Sequence, residues 1–367
     1  MKKPSITLLS LVANFLCATC AQSSFKSISI PPTISNTTSV AQFISDSSFD
    51  GPKVTNINSS SYDWWYFDAV SLDSNYSIVA VFYASPSTSF IGAESATDIL
   101  EVQIRVQTPE EDVFFAVDSP SATAGKLTLD GNDITGDWEG TGSRFLGRDL
   151  TCYNVTFDSD AAEELGISGF ISMTSIAPPH YPCSPAKEGV NMELFPHVGW
   201  ANAVPDAETI IELNINGTSV SFTGSGYHDK NWGDVAFDHA VTSWYWGHGR
   251  VGPYSLVWFD GISSNGTEYT SGYLSEKGKI LGTTCGSTVQ VRPINATYPP
   301  GLGSDPDGFN ITIDLGGGKV FEAIASGDHV LLNEEGAYMR WSGSISGGFR
   351  ENEETYTGSS VFEQFTF

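Results

Sequence analysis

Along most of this chain, apolar and polar residues alternate. From Ile99 to Gln107, Leu100, Val102, Ile104 and Val106 fall on one side, and Glu101, Gln103, Arg105 and Gln107 on the other. A period of two predicts a strand with one face in a core. Weaker alternation predicts strands at Ser77–Tyr83, Val113–Val117, Ser168–Thr174, Thr209–Ile215, Ser255–Phe259, Val320–Ala325 and Tyr338–Ser344. Between them stand turn signals: Asp130-Gly131, Asn216-Gly217, Asn265-Gly266, Asp307-Gly308 and Gly316-Gly317-Gly318. A helical reading is confined to Asp160–Leu165. Many short strands joined by Gly and Asn turns predict an all-β protein of antiparallel barrels or sandwiches. Residues 22–50 read as a Ser/Thr-rich lead-in. The proline-rich stretch Pro178–Pro205 reads as the crossing between an N-terminal β domain (51–205) and a C-terminal one (206–367).

The N-terminus changes the picture of where such a protein works. Lys2 and Lys3 precede an apolar run from Ile6 to Cys17 and the small residues Ala18-Thr19-Cys20-Ala21. That order predicts a signal peptide, residues 1–21, and a secretory, lumenal or extracellular location. The run is too short to span a bilayer, so membrane insertion is not expected. Sequons at Asn36, Asn58, Asn75, Asn154, Asn216, Asn265, Asn295 and Asn310 predict N-glycosylation on exposed turns. Without the signal, Cys152, Cys183 and Cys285 remain, enough for one intramolecular disulfide, for which Cys152–Cys183 is the expected pairing. The net charge of −26 repels phosphate backbones and argues against nucleic-acid partners.

Candidate chemistry concentrates in two segments that hold six of the nine tryptophans. The first is Tyr62-Asp63-Trp64-Trp65-Tyr66-Phe67-Asp68. As a strand it places Asp63, Trp65 and Phe67 on one face and Tyr62, Trp64, Tyr66 and Asp68 on the other. The second runs from Tyr227-His228-Asp229-Lys230-Asn231-Trp232 through Trp244-Tyr245-Trp246 and Arg250 to Asp260. Buried carboxylates among rings are costly unless paired or used, and flat apolar walls with a few polar points suit a pocket for an apolar small molecule. The competing reading is an ordinary barrel core with an internal ion pair such as Asp229 with Arg250. Beyond the expected signal peptide, no Gly-x-Ser-x-Gly, His-x-x-x-His, Cys-x-x-Cys or phosphate-cradling loop occurs, so no metal or nucleotide cofactor is expected. A secreted glycosidase using paired acids stays open on composition.

These segments resemble the carotenoid hydratase-like, two-lipocalin superfamily, and within it the fungal Diels–Alderases. The likeness rests on Asp63-Trp64-Trp65-Tyr66-Phe67-Asp68, Tyr227 to Gly233, Trp244-Tyr245-Trp246-Gly247 and Gly252-Pro253-Tyr254. It extends to the tail Tyr338-Met339-Arg340-Trp341, Gly347-Gly348 and Phe362-Glu363-Gln364-Phe365. The resemblance implies two lipocalin-like β domains with substrate between them or at a barrel mouth. It also implies a cofactor-free [4+2] cycloaddition, carbo- or hetero-, of a polyene, polyketide or terpenoid. Lys230 stands where the hydratases carry a His before Asn-Trp, which turns the reading from hydration towards cycloaddition. On this reading Asp63, Asp68, Tyr227, His228 and Lys230 are the candidate catalytic residues. Trp65, Tyr66, Trp232, Trp244, Trp246, Arg250 and Trp341 are the candidate substrate contacts. A non-catalytic carrier and a hydratase or hydrolase that uses the acids are the alternatives.

Overall fold

The computed structural model describes residues 25–162, 165–352 and 354–367. The expected signal segment lies outside the described residues, as does part of the expected helix at 160–165. Two antiparallel sheets carry nearly every strand, so the all-β expectation holds. In space the first sheet runs Lys26–Ile30, Ala124–Asp130, Asp133–Glu139, Ser143–Arg148, Cys152–Phe157, Ile167–Ser175, Val198–Ile215, Thr218–Gly233, Tyr62–Ser71, Ser77–Ala84, Leu100–Thr108, Glu111–Asp118. It curls into a half-barrel. The second runs Lys279–Cys285, Glu268–Glu276, Tyr254–Ser263, Val241–Val251, Tyr356–Thr366, Tyr338–Phe349, Val320–Glu334, Gly308–Asp314, Val289–Ile294, a nearly closed barrel.

The expected boundary at 205/206 lies inside the Val198–Ile215 strand, and the first sheet keeps the chain until Gly233. The reason is a tight hairpin at Asn216-Gly217, with φ of 50° and 88°. Two successive left-handed residues match the right-handed twist of the flanking strands, so the chain pairs back on itself instead of leaving. The lead-in is likewise part of the first domain, because Lys26–Ile30 forms its edge strand on Ala124–Asp130.

The disulfide differs from the expected pairing. Cys183 bonds Cys285, and Cys152, half-buried in its strand, has no disulfide partner among the described residues. Cys183 lies in the irregular crossing before Val198, which folds across to the second barrel. There Ser271 Oγ bonds the Pro182 carbonyl, and Tyr273 Oη donates to that of Pro178 at 3.0 Å.

Apolar side chains collect into three cores. One fills the half-barrel around Trp65, Phe67, Phe82, Trp138 and Phe145. One fills the barrel around Tyr245, Trp258, Phe309, Trp341 and Phe362. The third joins the two sheets through Trp64, Tyr66 and Tyr227 on one side and Trp244, Trp246 and Phe365 on the other. The Tyr62–Ser71 strand is therefore buried on both faces, which explains its unbroken run of large residues.

Candidate active site between the barrels

Parity along four strands decides which side chains meet. On the first sheet, Tyr62–Ser71 pairs antiparallel with Thr218–Gly233 so that Trp64 opposes Asn231, Tyr66 opposes Asp229 and Asp68 opposes Tyr227. All six point toward the second barrel. On that barrel Trp244 opposes Phe365 and Trp246 opposes Glu363, while Tyr338 and Arg340 sit across from the same two partners. These two faces line a narrow, partly open cavity of only about 20 Å³, walled also by Val81, Tyr83 and Phe90.

Rings form its walls. Trp246 packs edge-to-face on Tyr66 and on Tyr227, each at 5.2 Å between centroids. Phe365 stacks on Tyr338 at 3.9 Å, and Trp64 meets Phe90 at 4.4 Å.

Polar groups enter at two points. Asp229 Oδ2 accepts from Tyr227 Oη at 2.6 Å and from Trp200 Nε1 at 2.7 Å. Burial drives its carboxyl up to about 7, against the lowering effect of those two donors. With both donors on Oδ2, the acid proton belongs on Oδ1, which takes no other hydrogen bond among the described residues. The second point is Arg340, whose Nε donates to Glu363 Oε1 at 2.6 Å and whose Nη2 donates to Tyr338 Oη. Its guanidinium lies 5.2 Å from the Tyr66 ring centre. Burial raises the Glu363 carboxyl and Arg340 opposes it; burial alone would lower Arg340, but Glu363 holds it charged. Deeper in the interface, Asp68 Oδ2 accepts from Tyr66 Oη at 2.9 Å and lies 2.8 Å from His248 Nε2. Trp244 Nε1 is buried with no partner among the described residues.

The sequence-predicted residues divide sharply. Tyr66, Asp68, Tyr227, Trp244 and Trp246 belong to this interface. Asp63, Trp65, His228, Lys230 and Trp232 point the other way, into the half-barrel. There Lys230 pairs with Asp63 and lies 4.4 Å from the Trp65 ring centre and 5.0 Å from that of Trp232. His228 Nδ1 donates to the Tyr66 carbonyl at 2.8 Å, and its Nε2 lies 2.9 Å from Asp50 Oδ2. Trp341 fills the second barrel. Arg250 bonds Asp206 at 2.7 Å and Glu208 at 2.8 Å, not Asp229. A strand covered on both sides gives apolar and acidic residues to both faces, so composition could not choose between them. Asp229, Asn231, Arg340 and Glu363 were missed as site residues. Parity was the available signal, since 227, 229 and 231 share one face and 338 and 340 another. Phe90, on a connection, carries no periodic signal.

Comparison with known proteins agrees with this architecture. Residues 21–293 match the model of the family described as "DA-like: Diels-Alderase-like". The chain belongs to the Diels-Alderase-like family. It is 38% identical to "Quinolone epoxide rearrangement protein penF" of Penicillium thymicola, over 92% of this chain and 94% of that one. It is 35% identical to "Quinolone epoxide rearrangement protein asqO" of Emericella nidulans over 90% of each. With "Diels-Alderase cheD" of Chaetomium globosum it shares 23% identity over 81% of this chain and 67% of that one. Among solved structures, CghA with Sch210972 matches at TM-score 0.74 and 17% identity, covering 94% and 98% of the two chains. Kievitone hydratase from Nectria haematococca matches at 0.53 and 15%, covering 92% and 97%. These likenesses carry the fold, two barrel-like sheets in tandem. The named family members are fungal cyclases, Diels–Alderases and rearrangement proteins, so the family is enzymatic.

Proposed function

We propose that this chain is a secondary-metabolite enzyme that opens and rearranges an epoxide on an aromatic, quinolone-like substrate held between its two barrels. The observation that carries the reading is Asp229, a buried carboxyl pushed up to about 7 that lines the ring-walled cavity and whose Oδ1 takes no hydrogen bond among the described residues. The names of the two relatives at 35 and 38% identity support the substrate class. In the reaction, Asp229 Oδ1–H protonates the epoxide oxygen as the weaker C–O bond breaks. Trp64, Tyr66 and Trp246 present π faces that stabilise the developing carbocation, an interaction of about 2 kcal/mol or more when desolvated. A neighbouring group migrates with its bonding pair to the cationic carbon. The hydroxyl proton returns to Asp229 as the carbonyl forms, so the product is an isomer. Arg340, with Nε and Nη2 engaged, offers Nη1 to the substrate carbonyl.

A second reading is the [4+2] cycloaddition that the resemblance implies, supported by relatives named Diels–Alderases at 22–26% identity. The same walls would fold a diene onto its partner, worth up to about 7–11 kcal/mol when the geometry is near attack. It needs no proton, so its rate would ignore Asp229. Deleting the gene in the producing organism separates the two: an unrearranged epoxide accumulates in the first case, an uncyclised polyene in the second. An unchanged metabolite profile would remove both.

The location belongs to the same proposal. A signal peptide at 1–21 would send the chain into the secretory pathway. Six of the eight sequon asparagines are exposed (Asn36, Asn154, Asn216, Asn265, Asn295 and Asn310), with Asn58 and Asn75 half-buried, which suits glycosylation at several of them. A mobility shift on endoglycosidase treatment of the native protein is the expected result.

A further inference from the structure

Twelve of the thirteen residues that line the cavity sit on strands; Phe90 does not. It rides on the connection 85–99 between Ser77–Ala84 and Leu100–Thr108. Its ring nevertheless contacts both barrels. It lies 4.4 Å from Trp64 and 5.7 Å from Tyr83 on the first sheet, and 5.8 Å from Phe365 and 6.4 Å from Tyr338 on the second. A fifth ring, Phe237 of the short helix Phe237–Ala240, meets it edge-on at 5.4 Å. We infer that Phe90 is the gate of this cavity and the residue that sets the size of the group admitted there, an inference that rests on the cavity being the substrate site.

The connection is built to hold that one ring while remaining separable from the sheets. On one side of Phe90, the Phe237 amide donates to the Ser89 carbonyl at 2.8 Å. Ser89 Oγ donates to the Ser61 carbonyl at 3.1 Å, and Thr88 Oγ1 to that of Ser59 at 2.8 Å. On the other side, Gln103 Nε2 donates to the Gly92 carbonyl, and the Glu94 amide donates to Glu101 Oε1 at 3.2 Å. Each anchor is a single hydrogen bond worth about 0.5–1.5 kcal/mol net, so the segment can open without disturbing either sheet. Strand-borne wall residues cannot move this way, because each is fixed by ladder bonds on both sides. Gly92 fits the same design. A Cβ there would stand 2.6 Å from Phe90 Cε1, so any side chain at this position would push the ring out of its present place.

The test uses the full chain and two dyes of unequal size, 1-anilinonaphthalene-8-sulfonate and its dimeric form bis-ANS, titrated by fluorescence. Phe90→Ala should bind bis-ANS at least tenfold more tightly than the wild type. Phe90→Trp should weaken the smaller dye by a similar factor, and Ile91→Ala, on the exposed neighbour, should change neither. Thermal melts of all four chains show whether the fold is kept. The gate is refuted if Phe90→Ala and Phe90→Trp leave both affinities unchanged, if no chain binds either dye, or if Ile91→Ala reproduces the effect. Because the readout is binding, a chain that rearranges no epoxide can still pass, which separates failure of the gate from failure of the proposed reaction.

Discussion

Replacing Asp229 by Asn removes one proton and almost nothing else. Burial lifts this carboxyl from 3.8 to about 7 in the folded chain. In the unfolded chain it ionises at the ordinary carboxylate value. Between about pH 4 and 7 the folded state therefore holds a proton that the unfolded state has released. Stability falls as pH rises through that window, and the full penalty is present above 7. At about 1.4 kcal/mol per pH unit, the wild type gives up on the order of 4 kcal/mol between pH 4 and pH 8 from this group. The amide keeps an oxygen for the Tyr227 and Trp200 donors, so neither is orphaned. Asp229→Asn should match the wild type within about 1 kcal/mol at pH 4 and exceed it by up to about 4 kcal/mol at pH 8. It should also lose about 10²–10⁴-fold in turnover, as expected for a deleted general acid. Urea unfolding at the two pH values, with product formation measured on the same samples, checks both. A variant no more stable than the wild type at pH 8 would refute a buried neutral acid at this position.

Trp200→Phe deletes a donor that favours ionised Asp229, so the alkaline limb of the rate profile should move up by about one to two pH units; an unmoved limb would sever Trp200 from the acid. Lys230→Met strands Asp63 inside the half-barrel and should cost about 3–5 kcal/mol in urea unfolding, with turnover per folded molecule unchanged. Trp65→Ala should behave alike, losing about 3–5 kcal/mol to a cavity; a selective loss of turnover in either variant would return that face to the active site.

Much of the fold is written in the period of two. Each predicted strand lies within an observed one or overlaps it closely; Tyr338–Ser344, for example, falls inside Tyr338–Phe349. The same period sorted Tyr62–Asp68 correctly into two faces. What alternation could not supply was the identity of the surface each face meets. In a strand with one wet face, polarity answers that question; in Tyr62–Ser71 both faces are dry, and Asp63 and Asp68 are each paired by residues far away in sequence, Lys230 and His248. The disulfide was hidden for a related reason, because Cys183 reaches Cys285 across a sequence separation of 102 that first completes two long strands of the first sheet and then enters the second barrel. The boundary at 205/206 failed because prolines mark irregular backbone, and here the irregular crossing ends at Val198, before two long strands that rejoin the first sheet.

Turnover of an aryl quinolone epoxide by the purified chain, followed by chiral chromatography with mass detection across pH 5–9, tests the central claim most directly. The account predicts one stereoisomer of unchanged mass, formed at a rate that falls as pH passes about 7 and is lowered at least about a hundredfold by Asp229→Asn. Absence of an isomer, or a pH-independent rate that Asp229→Asn leaves intact, would contradict it.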